Sequence, residues 1–171
     1  MSTPPCPLHP WSSPIPPPNP RFAASLVGRA VRMLRDARRP VVLAGAGVLR
    51  EGAQAELLAL ANRIRTPVAT IPGAPVFPRD HVLFLSEYGF AGVEQTAWVV
   101  GRQADLMLFL GVCRDGLYTG DFLGEALARK RLIRVPGACP VGRELRANLL
   151  VEGNIAEVLA AIHEGYGRVA A

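Results

Sequence analysis

The sequence predicts an α/β fold: a three-layer, doubly wound sheet of mostly parallel strands. Three observations carry this. Val41–Ala44 and "DLMLFLGV" (105–112) are apolar at successive rather than alternate positions, as strands are when a parallel sheet is covered on both faces. Between such runs lie segments with apolar residues at helical spacing. Past the runs stand Gly45-Ala46-Gly47, Ile71-Pro72-Gly73, Gly111-Val112-Cys113 and Val135-Pro136-Gly137, where chains turn from strand to helix.

The elements follow in order. Residues 1–20 hold nine of the sixteen prolines. They have no core of their own, so 1–19 is expected to be an extended arm or linker. The single α/β domain is expected over 20–171. Asn19-Pro20 is a cap followed by a first-turn proline. Phe22, Leu26, Ala30, Met33, Leu34 and Ala37 then share one face of a helix over about 20–38, which Pro40 ends. After the strand Val41–Ala44, an amphipathic helix over 52–64 turns Leu57, Leu58, Ala61 and Ile64 inward. "PVATI" (67–71) is the second strand. "HVLFL" (81–85) is either a strand or a short buried turn. A helix is expected over 92–102, then strands in 105–112, "RLIRVP" (131–136) and "NLLVEG" (148–153). Asn154 and Glu157 form a capping-box-like start for a last helix, 155–165. Strand and helix in alternation make a Rossmann-like layer with right-handed crossovers.

Composition narrows the function. The 171 residues are 50% hydrophobic and 19% charged, a globular balance. No apolar run approaches the ~20 residues of a membrane helix, and no basic-then-apolar leader opens the chain. The three cysteines show no C-x-x-C spacing, which disfavours disulfides and zinc and fits a cytoplasmic protein. Eighteen of the nineteen basic residues are arginine, since Lys130 is the one lysine. The cluster Arg29, Arg32, Arg35, Arg38 and Arg39 reads as the solvated side of a helix. No aromatics interleave with it, so a nucleic-acid partner is not expected.

The candidate site is the carboxyl edge of the sheet, where such folds bind ligands. The Gly45-x-Gly47 turn could bring backbone N–H groups to a pyrophosphate. A dinucleotide fingerprint would add a glycine at position 50 and an acidic residue after the second strand. Arg50 and Thr70-Ile71-Pro72 stand there instead, so a standard NAD site is disfavoured. From spacing alone, a tight turn with no ligand is an equal alternative. Cys113 beside Arg114 could act as a nucleophile. It lacks a nearby histidine base, so a packed small side chain is preferred. His9, His81 and His163 show no metal-ligand spacing, and Glu87 is a lone carboxylate.

Across these segments the chain resembles the central domain of thiamine-diphosphate-dependent enzymes, a group that includes acetolactate synthase, pyruvate oxidase, benzoylformate decarboxylase and oxalyl-CoA decarboxylase. "RPVVLAGAGV", "PRDHVLFL" and "ADLMLFLGV" carry the resemblance most strongly, and it runs from about Asn19 to about Glu164. It implies a six-stranded parallel sheet between helices. It also implies a nucleotide site in some relatives, for FAD or ADP, and a purely structural domain in others. Gly45, Ala46 and Gly47 match the family's glycine turn. Gly89 and Gly92 match a glycine loop that approaches the flavin. Gly111, Val112 and Cys113 open the loop after the buried strand, and Val135 ends the next strand. Departures disfavour FAD: Cys113, Gly116 and Leu117 replace charged positions of that loop, and Arg134, Val135, Pro136 and Gly137 stand where the family often has I-D-I-D.

The resemblance therefore implies a non-catalytic central-domain subunit or fragment of a thiamine-diphosphate-dependent enzyme. ADP, CoA or FAD are its conceivable ligands. Thiamine diphosphate and magnesium would be held only by partner chains that carry the other domains. A homodimer is a further expectation. The alternative is a free-standing FAD-, ADP- or CoA-binding module that resembles the epsilon subunit of archaeal carbon monoxide dehydrogenase complexes.

Overall fold

The computed structural model describes residues 20–71, 73–87, 103–112, 130–137 and 147–168. The arm 1–19, the helix expected over 92–102, and Gly89, Gly92 and Cys113 lie outside the described residues.

Helix α1 spans Pro20–Asp36. It stops two residues short of the expected end because the next backbone donors are claimed elsewhere. The Arg38 and Arg39 N–H groups donate to the two carboxylate oxygens of Asp105, at 2.8 and 2.9 Å. Strand β1 follows over Pro40–Ala44. The helix expected over 52–64 is α3, Gln54–Ile64, and a short helix, α2, Ala46–Arg50, precedes it directly after the glycine turn. Gly52 breaks them apart at φ +65, a left-handed conformation that costs glycine little. Leu57, Leu60 and Ala61 of α3 are buried, whereas Leu58 and Ile64 are half-buried. Arg65 closes α3 in the left-handed region, and the Thr66 hydroxyl donates to the Pro40 carbonyl at 2.9 Å.

Strand β2 is Val68–Thr70. "HVLFL" divides between both of its readings: His81–Leu83 turn, and β3 begins at Phe84 and runs to Glu87. Strands β4, Leu106–Leu110, and β5, Arg131–Val135, are where the apolar runs placed them. Strand β6 is only Leu149–Leu150. Asn148 just before it uses both its amide N–H and its side-chain oxygen to bond the Leu132 backbone. Helix α4 spans Ile155–Arg168. The Glu157 N–H donates to Asn154 Oδ1 at 3.2 Å, so Asn154 is the cap its sequence position suggested.

All described strands are parallel, in the order β3-β2-β1-β4-β5-β6. The chain builds outward from β1 in one direction, then returns to lay β4 on the other side of β1. The topological switch point lies between β1 and β4. Helix α4 packs against both α1 and α3. The core runs through the sheet's centre, where Leu43, Leu106, Met107, Leu108, Phe109, Leu110 and Ile133 are fully buried. Truncating any of the leucines to alanine would cost ~2–5 kcal/mol. That rigid centre fixes the strand ends where the candidate site lies.

Candidate functional site at the carboxyl edge of the sheet

Gly45, Ala46 and Gly47 follow β1, Gly111 and Val112 follow β4, and Val135 is the last residue of β5. Because β1, β4 and β5 are neighbours, the sheet gathers all six at one edge beside the switch point. The contact there is backbone on backbone. A Cβ built on Gly47 would sit 2.5 Å from the Gly111 Cα, and one on Gly45 would sit 2.5 Å from the Gly111 oxygen. Gly111 itself has φ +56, and a Cβ on it would sit 2.5 Å from the Gly47 Cα. No side chain fits between these segments, so the glycines are required by the approach of the two strand ends.

Two donors of the turn are engaged by the same contact. The Gly45 N–H donates to the Leu110 carbonyl at 2.8 Å, and the Gly47 N–H to the Gly111 carbonyl at 3.0 Å. The Gly111 N–H in turn donates to the Val135 carbonyl at 2.9 Å. A phosphate cradle needs such donors aimed outward at the ligand. Here the two glycine donors point at β4.

A residue that sequence reasoning did not single out completes the edge. Glu51, just past α2, accepts the Ile155 N–H on Oε2 at 2.6 Å, at the start of α4. A carboxylate suits a helix N-terminus, where backbone donors lack partners and the dipole is positive. Gly137, at φ +59 after β5, leaves room for it: a Cβ there would sit 2.2 Å from Glu51 Oε1. Nothing in the sequence marks this pairing, because Glu51 and Ile155 are 104 positions apart.

Arg134 stands on β5 where the family often carries acidic residues, and it is 6% exposed. Burial lowers its guanidinium pKa from the ordinary value. Thr70, at the end of β2 where a ribose-holding acid would stand, is buried at 2%. Among the described residues no group of three or more His, Cys, Asp or Glu side chains could hold a metal ion. Nor is any described helix long and apolar enough to cross a membrane.

The arginine cluster of α1 divides. Arg29, Arg32, Arg38 and Arg39 are exposed, as a solvated face predicts. Arg35 is not merely solvated: its guanidinium lies 4.7 Å from the Tyr166 ring centroid and donates to the Tyr166 carbonyl. It fastens α1 to α4.

Fold and site together define a doubly wound, Rossmann-like α/β domain, with its glycine turn packed against the neighbouring strand end. The chain belongs to the family of the thiamine pyrophosphate enzyme central domain, whose model matches residues 27–162. It is similar to the acetolactate synthase large subunit of Corynebacterium glutamicum, at 29% identity over 144 residues, covering 82% of this chain and 22% of the relative. It is also similar to sulfoacetaldehyde acetyltransferase of Rhodobacter capsulatus, at 39% identity over 95 residues, 55% of this chain and 16% of the relative. The solved benzoylformate decarboxylase of Polynucleobacter necessarius shares the fold, with a TM-score of 0.62 at 20% identity over 82% of this chain and 27% of that one. The chain thus matches about a quarter or less of the length of these proteins.

Proposed function

We propose that this chain serves as a non-catalytic central domain of a thiamine-diphosphate-dependent enzyme. Its role is structural. The domains that bind thiamine diphosphate and magnesium, in the same or a partner polypeptide, carry the chemistry. One observation supports the structural role above others: the glycine turn spends the Gly45 and Gly47 donors on the end of β4. A nucleotide therefore has no need to be invoked to explain the glycines.

Two measurements test this together. Co-purification with a thiamine-diphosphate-binding chain or domain, and gain of decarboxylase or synthase activity on mixing, is the expected outcome. A chain that ignores such partners sinks the reading. In parallel, thermal unfolding is followed with FAD, ADP and CoA. A ligand at about 100 times its dissociation constant would add ~2.7 kcal/mol. No shift is expected. A saturable shift with any of the three would favour the alternative, a nucleotide-binding module.

A further inference from the structure

The opposite edge of the sheet has a different character. In a parallel sheet every strand begins at the amino edge, so the residues just before each strand meet there. Arg38 and Arg39 precede β1, Arg65 precedes β2, and Lys130 and Arg131 lie at the start of β5. These strands occupy adjacent positions, with Asp105 before β4 among them. At ~4.8 Å between neighbours, the row is about 15 Å across. The sequence marks only Arg38 and Arg39, as part of the arginine cluster of α1; Arg65, Lys130 and Arg131 join them from two distant segments.

Other basic residues at this end of the molecule have evident structural partners. Arg35 binds Tyr166, Arg168 pairs with Glu164 at 3.1 Å, and the Arg63 guanidinium lies over Gly167. The row is different. Arg38 and Arg39 use their backbone N–H groups to hold Asp105, and their side chains are exposed. Arg131 approaches Asp105 at 3.6 Å with both side chains more than a third exposed. Five cations stand on these segments against two carboxylates, Asp36 and Asp105. The main chain is anchored while the charged heads face water. Beside the row, before β3, Val82 is 91% exposed, a large apolar side chain next to the charges.

We propose that this amino edge is a docking surface for an acidic protein face, with Arg38, Arg39, Arg65, Lys130 and Arg131 as its charged rim and Val82 as an apolar contact. Rim charges of this kind steer association and fix orientation. Nucleic acid fits less well, because the segments that carry the row hold no aromatic side chain on which a base could stack. Taken with the central-domain reading, on which this step rests, the partner is the remainder of the enzyme.

The test uses the whole chain and a fluorescein-labelled polyglutamate peptide, read by anisotropy. The wild type is expected to bind it, and binding is expected to fall as NaCl rises from about 50 to about 500 mM. The triple variant Arg38→Gln, Arg39→Gln, Lys130→Gln should bind roughly tenfold more weakly. Because the Asp105 clamp uses only the backbone of residues 38 and 39, its melting temperature should match the wild type. Should the triple variant fail to fold, Lys130→Gln and Arg65→Gln are tested singly, each with a smaller loss. Arg79→Gln, whose side chain pairs with Glu87 at the end of β3, should bind as the wild type does. Three outcomes overturn the proposal: no peptide binding, equal losses for Arg79→Gln and the rim variants, or tighter binding of a single-stranded oligonucleotide of equal charge. A thiamine-diphosphate-binding chain that co-purifies equally with the wild type and the triple variant would uphold the central-domain reading while sinking this surface.

Discussion

Replacing Gly47 with alanine separates a packing role from a ligand role for the glycine turn. The added methyl would begin 2.5 Å from the Gly111 Cα and 3.0 Å from the Gly111 oxygen. Ordinary contact starts near 3.4 Å, so two backbone segments must part by roughly 1 Å, and neither is a flexible side chain that can swing away. Overpacking of this kind costs ~1–3 kcal/mol. Parting the segments also weakens the Gly47 N–H to Gly111 carbonyl bond, worth about 1 kcal/mol. The sum, about 2–4 kcal/mol, is a large part of a typical total of ~5–15 kcal/mol. In urea, with a slope near 2 kcal/mol per molar, the midpoint should fall by about 1–2 M. Gly28→Ala is the internal control. It lies inside α1, where a Cβ would meet only Arg32 Nη1 at 3.8 Å. Alanine there should stabilise by ~0.5–1 kcal/mol. If Gly47→Ala unfolds at or above the wild-type midpoint while Gly28→Ala rises as expected, the backbone contact is not what requires glycine. Loss of nucleotide binding with unchanged stability would then mark the turn as a phosphate cradle.

Three further substitutions probe the fixtures around the sheet. Asn154→Ala removes the cap on the Glu157 N–H and should lower stability by ~0.5–2 kcal/mol. Glu51→Ala strips a second acceptor from the same helix start, for about 1–2 kcal/mol. A double variant in urea should show a combined loss that departs from the sum, because both act on one helix terminus. At the amino edge, burial acts to raise the Asp105 pKa. The backbone hydrogen bonds from Arg38 and Arg39 and the Arg131 charge overcome it, so the carboxyl titrates below its ordinary value. The folded-state pKa is depressed, so its contribution is present above the unfolded pKa of ~3.9 and lost as pH falls through the folded value. Asp105→Asn should therefore destabilise at pH near 7, with the difference shrinking below about pH 4. A constant difference across that range, followed by urea unfolding at each pH, would show that the charge is irrelevant.

The centre of the sheet was legible in the sequence because β1, β2 and β4 are buried on both faces, unlike the half-buried β3 at one edge. Leu106–Leu110 has no polar position to confuse its period, and the helices between strands carry their own spacing. What escaped was set by tertiary contact. Helix α1 ends early because Asp105, 67 positions away from Arg38, claims the donors that would have continued it. Strand β6 is cut to two residues, while Asn148 before it and Val151 after it bond the backbone of β5. At the candidate site the glycines were legible but their purpose was not. Spacing left a ligand-free turn and a phosphate cradle equal. The distances that separate them lie between Gly47 and Gly111, which only the fold brings together. Glu51 carries no local signal at all, since its meaning comes from Gly137 and Ile155.

Both edges of the sheet are held by backbone hydrogen bonds, and the two arrangements leave opposite surfaces behind. At the carboxyl edge the Gly45 and Gly47 donors of the β1 turn are spent on β4, and the start of α4 is occupied by Glu51. At the amino edge the donors of Arg38 and Arg39 are spent on Asp105, but the residues that supply them keep long charged side chains in water. A glycine contributes nothing beyond its backbone, so a turn made of glycines, once its N–H groups are paired internally, has little left to offer a ligand. An arginine whose backbone is paired internally still has its entire guanidinium to offer. In this chain the residues most suggestive of a ligand site are therefore the ones most completely used by the fold. The arginines that looked like an ordinary solvated helix face include the groups with the most unspent binding capacity.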